Sequence, residues 1–141
     1  MDDAQRRLFW HGMLLVLIGL LTGAFLSSYT TPRLGLSAHV GAIMNGTLIV
    51  AIGALWKHLV LSPRAATALV WSTVVSGYAN WAGLFFAAVF GTSRSTPMLG
   101  AGHVGTPLQE GFVEVLLVAG AIGVVAACVL VLVGLGKGRR T

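Results

Sequence analysis

Four apolar runs, at about residues 8–26, 39–56, 65–90 and 112–135, dominate the chain. Each is close to or above the roughly 20 residues a helix needs to cross the hydrocarbon of a bilayer. A segment in lipid must satisfy its own backbone hydrogen bonds, so runs of this length are read as transmembrane helices. The predicted fold is an all-α integral membrane protein, a single four-transmembrane-helix bundle over residues 1–141. Only 9% of the residues are charged against 56% hydrophobic, which excludes an ordinary soluble domain. The pI near 10.4 comes from basic residues between and beyond the runs. No basic patch with interleaved aromatics points to nucleic acid. The first run lacks a small-residue cleavage site and is read as a retained span. Cys128 is the one cysteine, which leaves no intrachain disulfide to form.

The loops differ in character. SSYTTPRLGLSA is turn-rich, KHLVLSPR is short, and GTSRSTPMLGAGHVGTPLQEG is the longest and the best suited to fold over something. Ser62 followed by Pro63 predicts a helix start for the third span. If the N-terminus is cytoplasmic, Arg6, Arg7, Lys57, Arg64, Lys137, Arg139 and Arg140 lie inside and Arg33 and Arg94 outside. Seven against two predicts that both termini are cytoplasmic. His39 and His103 then fall at the outer end, His11 and His58 near the inner one.

Glycine accounts for 19 residues, many inside the runs. Gly19 and Gly23 in GLLTG, and Ala79 with Gly83, have the small-xxx-small spacing that lets helices approach closely in lipid. Four short helices enclose little interior of their own. A homo-oligomer with its site against neighbouring helices is therefore expected.

Polar groups at membrane depth cost several kcal/mol if unpaired, so each needs a structural or a chemical reason. His39, read as lying at a helix end, either hydrogen-bonds at the headgroup boundary or offers an imidazole nitrogen suited to haem iron. Asn45 lies six residues deeper, about one and three-quarter turns, and either bridges helices or points its donors at a substrate oxygen. In SGYANWAG, Ser76 and Asn80 share a helix face while Tyr78 points elsewhere, and Trp71 and Trp81 flank the group. Tyr78 is either an interfacial aromatic or part of a pocket. Asn45 and Asn80 together suggest a site with fixed polar groups and aromatic walls, suited to a flat apolar small molecule. His11 and His58 read as paired or solvated, His103 as a loop residue, a second axial ligand or a proton carrier, and Glu114 as snorkelling or paired with Arg94. No carboxylate pair suggests hydrolytic acid and base chemistry.

The stretches RRLFWHGMLLVLIGLLTG, PRLGLSAHVGAIMNG, LSPRA, ANW and AGHVGTPLQEG resemble the hydroxylaminobenzene mutases, small bacterial membrane enzymes that convert phenylhydroxylamine to 2-aminophenol. The chain is similar, more distantly, to the styrene oxide isomerases, four-helix membrane proteins. In those, a histidine in an AH-x-G-x-x-x-N-G pattern binds haem b at the contact between protomers of a trimer. The pattern is carried here by Ala38, His39, Gly41, Asn45 and Gly46. The resemblance implies that His39 ligates the iron of ferric haem b, that Asn45 lies in the pocket, and that a homotrimer sits in the bacterial inner membrane with haem between protomers. Epoxide isomerases read D-G-W-A-N in the third span, with a tyrosine four residues on. Here Ser76, Tyr78 and Leu84 stand in place of the aspartate, tryptophan and tyrosine, and Asn80 is kept. These departures favour the mutase over the epoxide-to-aldehyde activity.

Ferric iron with an open face acts as a Lewis acid toward an N–O or epoxide oxygen, so neither reaction requires an external reductant. The expected partners are an aromatic N-hydroxylamine and membrane lipid, with Asn45, Asn80 and Tyr78 catalytic and His103, Ser76, Trp71 and Trp81 as further pocket residues. Two readings of other classes are a bis-histidine electron-transfer cytochrome b using His39 with His103, and a small multidrug exporter. The exporter would need a membrane-embedded carboxylate that the first three runs lack.

Overall fold

The computed structural model describes residues 1–138, so Arg139 and Arg140, two of the seven charges behind the predicted orientation, lie outside the described residues. Four helices follow one another: α1 Asp3–Ala24, α2 Pro32–Leu55, α3 Pro63–Phe90 and α4 Pro107–Gly138. No strand occurs among the described residues. All four are long and apolar enough to cross a membrane, and four crossings return the chain to the side on which it started.

The helices begin earlier than the apolar runs suggest. Asp2 caps α1 by accepting from Gln5 N at 2.8 Å, and Ser62 caps α3 ahead of Pro63, as its sequence signal predicts. α2 begins at Pro32, in its first turn, so His39 does not sit at a helix end. It lies seven residues, about two turns, inside. α4 begins at Pro107, which takes Gln109 and Glu110 out of the loop and into the first helical turn. Hydropathy marks where the chain meets lipid. Backbone hydrogen bonding continues past that limit wherever a cap and a helix-compatible proline allow it.

α1 and α2 form an antiparallel pair in which bare backbone meets bare backbone. A methyl group at Gly46 would lie 2.6 Å from the Gly12 carbonyl oxygen, and one at Gly19 would lie 3.1 Å from the His39 carbonyl. Leu8, Leu15, Ala42 and Ile49 fill the levels around these contacts. At the end that carries the N-terminus Gln5 donates to Gly53 O at 3.0 Å and Trp56 Nε1 to Asp2 at 2.8 Å. α3 packs across the pair and is the best-buried helix, whereas α4 leans almost entirely on α3. Only 11% of the most apolar stretch of α4 is buried, against 39% for α3. Gly120 and Gly123 make the α3–α4 approach possible: a methyl group at the first would lie 3.0 Å from Asn80 backbone N, and one at the second 2.8 Å from Ser76 Cβ.

The long loop between α3 and α4 is strapped down at the opposite end of the bundle. Buried Glu110 accepts from three backbone N–H groups, Ser93 at 3.0 Å, Arg94 at 2.9 Å and Gly105 at 3.0 Å. Thr106 and Gln109 cap α4 reciprocally, Thr106 N donating to Gln109 Oε1 at 2.9 Å. Much of AGHVGTPLQEG is thus a device for closing the loop onto α4.

Candidate functional site

Asn45 and Asn80 meet. Asn45 Nδ2 donates to Gly41 O at 2.8 Å, one turn earlier in α2, and to Asn80 Oδ1 at 3.1 Å across the α2–α3 contact. Both protons of that amide are used, so the helix-bridging reading of Asn45 holds for its nitrogen. Its carbonyl oxygen and the Nδ2 of Asn80 take part in no hydrogen bond among the described residues. The pair therefore keeps one acceptor and one donor without a partner among the described residues. Asn45 and Asn80 help line a cavity of about 270 Å³ between α2, α3 and α4, with Gly41, Met44, Gly120, Ala121 and Val124. Its size is just below the range usual for small-molecule sites, roughly 300–1,000 Å³.

Glycines shape this cavity. Gly41 leaves room for Asn80 Oδ1, which a methyl group would meet at 3.2 Å, and Gly120 lets α4 pass close behind Asn80. The sequence motif therefore contains two functions: Gly41 makes space for the amides, while Gly46 joins α2 to α1.

His39 projects toward a different neighbour. Its Nδ1 lies 2.7 Å from Gly19 O on α1, and its ring fills the space that a side chain at Gly23 would occupy. A carbonyl oxygen only accepts, so Nδ1 carries the proton, and in the neutral ring Nε2 keeps its lone pair. No hydrogen bond among the described residues involves Nε2.

The other candidates are spread over the bundle. The Tyr78 hydroxyl lies 3.3 Å from His11 Nδ1 and 3.5 Å from His11 O, with the rings edge to face. Tyr78 thus faces α1 and does not line the asparagine cavity. Trp81 donates to Thr22 Oγ1 at 3.0 Å and stacks on Phe85, beside a separate apolar groove of about 410 Å³ that includes Phe25 and Tyr29. Trp71 borders two grooves, one with Arg7 and one with Arg64. Ser76 is buried against Gly123 and donates to Thr73 O at 3.0 Å. The cavity walls are therefore aliphatic, not the aromatic ones expected from SGYANWAG. An isolated helical stretch does not reveal that alternate residues of its polar cluster serve different neighbouring helices.

His103 is exposed in the loop, packed near Gly91 at the end of α3. Its neighbours are not those of His39, so nothing in the described structure joins the two imidazoles as a bis-histidine site would require. Glu114 lies 3.7 Å from Arg94, both half exposed, which makes it a surface pair of little energetic weight. The residue whose importance the sequence hid is Glu110. The Thr106-x-x-Gln109 capping pattern ahead of the last apolar run was the available signal, since it places Glu110 in the first helical turn.

Four helices long and apolar enough to cross a membrane, with a cavity at helix contacts lined by two asparagines and no carboxylate, define a multi-pass membrane protein with a candidate small-molecule site. The chain belongs to the styrene oxide isomerase family, whose model matches residues 4–136. Among curated proteins it is 37% identical over 131 residues to hydroxylaminobenzene mutase HabB of Ectopseudomonas oleovorans, covering 92% of this chain and 80% of that one. It is 35% identical over 132 residues to hydroxylaminobenzene mutase HabA of the same organism, covering 93% and 98%. The protein is accordingly an enzyme of the isomerase or mutase class.

Proposed function

We propose that this protein converts phenylhydroxylamine to 2-aminophenol by moving the hydroxyl from nitrogen to the ortho ring carbon, with ferric haem b held by His39. The observation that supports it most is the pinned asparagine pair, which offers one acceptor and one donor to a cavity walled by apolar side chains. A hydroxylamine presents N–H and O–H donors and an oxygen acceptor, which complement that pair. Both relatives bear the mutase name.

His39 fits the haem. Its Nδ1 is committed to a backbone carbonyl, so Nε2 is the atom that would hold the iron, as in metal-ligating imidazoles whose other nitrogen donates to a carbonyl. Haem, when bound there, would supply a Lewis acid for the N–O oxygen. The chain's own groups set orientation and dryness. Asn45 Oδ1 accepts from the hydroxylamine N–H, and Asn80 Nδ2 donates to its oxygen. Because the two amides hold each other, neither has to be ordered when substrate arrives. Met44, Ala121 and Val124 keep water from competing for the activated ring. The N–O bond breaks, a C–O bond forms, the ring proton is lost and nitrogen gains one, so no electrons enter or leave.

His39 and Asn45 are about 120° apart around α2, one turned to α1 and the other to α3. In the proposed assembly, a homotrimer, one protomer's imidazole and a neighbour's asparagine cavity would share the haem, and the distribution of basic residues is the basis for proposing a bacterial inner membrane with both termini cytoplasmic. His39→Ala and Asn80→Leu, each alone, are expected to abolish turnover, the first together with the Soret band. Coexpressed, they are expected to restore activity at about a quarter of the interfaces. No restoration would refute the shared site, and a His39→Ala protein that keeps both haem and turnover would refute the ligand.

The family description favours one second reading, the isomerisation of an epoxide to an aldehyde. An epoxide has no N–H or O–H for Asn45 Oδ1. Styrene oxide is therefore expected to react with a kcat/KM about 10²-fold or more below that of phenylhydroxylamine, and the reverse order would favour the epoxide.

A further inference from the structure

We infer that Gly19 and Gly23 of α1 are positioning residues for the His39 imidazole, forming a socket of bare helix that fixes both the tautomer and the direction of the ring. This inference rests on the haem reading for its purpose but not for its geometry. Gly19 O accepts from His39 Nδ1 at 2.7 Å. In an α-helix the same carbonyl also accepts the N–H of residue 23, so the imidazole joins a helical hydrogen bond from its side. That approach requires residue 23 to have no side chain. A methyl group at Gly23 would overlap the imidazole, including Nδ1 and Cε1.

A helix normally screens its carbonyls with side chains projecting over the preceding turn. Gly23 removes that screen at the one place where α2 presents a histidine. GLLTG thus divides its labour: Gly19 also receives α2 itself, with the Ala42 methyl at 2.8 Å and the backbone oxygen of His39 at 3.1 Å from where its own methyl would be, and Gly23 receives the ring. A rotating imidazole would present either nitrogen to a ligand. The socket holds Nδ1 on α1 and turns Nε2 away from it.

Two measurements decide the inference. In the wild-type protein freed of haem, nitrogen-15 NMR of labelled histidine is expected to show His39 with the proton on Nδ1 and Nε2 bare. The opposite tautomer, or rapid exchange between the two, would overturn the socket. In Gly23→Ala, which fills the space of the ring, haem affinity is expected to fall about 10–100-fold, read from Soret titration of the detergent-purified protein, with helical content unchanged by circular dichroism. Gly136→Ala, at a glycine with nothing within 4 Å, is the control and should bind as wild type does. A Gly23→Ala protein with unaltered haem affinity and Soret position overturns the socket while leaving the haem reading intact. A wild-type protein that binds no haem at all sinks the haem reading, and the tautomer measurement still stands as the test of the geometry. If Gly23→Ala does not fold, the tautomer result alone decides.

Discussion

Gly46→Ala is expected to prevent the protein from folding to its native bundle, although it adds a single methyl group. That methyl would lie 2.6 Å from Gly12 O and 2.9 Å from Val16 N, both backbone atoms of α1 that no rotamer change can move. α1 and α2 would have to separate along the contact that carries Leu8, Leu15, Ala42 and Ile49. Ordinary overpacking costs roughly 1–3 kcal/mol, and an obstruction between two helix backbones lies at or above the top of that range. The same substitution at Gly111 supplies the contrast, because nothing stands within 4 Å of a methyl group there. Alanine at that helical position should stabilise by about 1 kcal/mol through helix propensity. Thermal unfolding in detergent, followed by circular dichroism and by the monodisperse fraction on gel filtration, reads both. Equal behaviour of the two variants would mean that α1 and α2 do not touch at Gly12 and Gly46.

Glu110→Ala should release the long loop between α3 and α4. Glu110 is 4% exposed, and its carboxylate accepts three backbone N–H groups. Hydrogen bonds to a charged acceptor contribute about 1.5–3 kcal/mol each and are not additive, so a loss of roughly 3–6 kcal/mol is expected. Glu110→Gln should lose less. One amide oxygen can still serve Ser93 and Gly105, which share Oε1, while the NH₂ opposes Arg94 N–H, the donor to Oε2. Limited proteolysis between Ser93 and Gly105 should become fast in the alanine variant and intermediate in the glutamine variant. Cleavage at the wild-type rate in both would show that the loop is held by something other than this carboxylate.

These expectations differ in how far they were legible in the chain. That His39 and Asn45 needed reasons was plain, because a polar side chain in an apolar run is conspicuous against its neighbours. Which reason applied was not. Asn45 bridges to Asn80, 35 positions away, and the imidazole of His39 reaches Gly19, 20 positions away, and both pairings depend on the register between helices. The spacing of Gly19 and Gly23 indicated close approach, yet nothing local distinguished a glycine that meets backbone from one that receives a ring. Tyr78 and Trp81 looked like walls of the same cavity as Asn80 because they are adjacent in sequence, but on a helix neighbours in sequence face different directions. Glu110 looked like one polar residue among several in a loop, since its three donors come from segments that meet only when the loop closes.

By itself the sequence determined the membrane class, the four spans, the shared side of the termini and the short inventory of residues able to do chemistry. Length and hydropathy are properties of each segment alone, and the bilayer acts on each segment separately. The tertiary structure decided which polar atoms are consumed by the fold and which remain free: Nε2 of His39, the oxygen of Asn45 and the amide nitrogen of Asn80. Those assignments follow from interhelical register and rotation. In a helix that is apolar on every face, rotation is set by where glycine lets a neighbour approach, and a one-dimensional pattern does not record that.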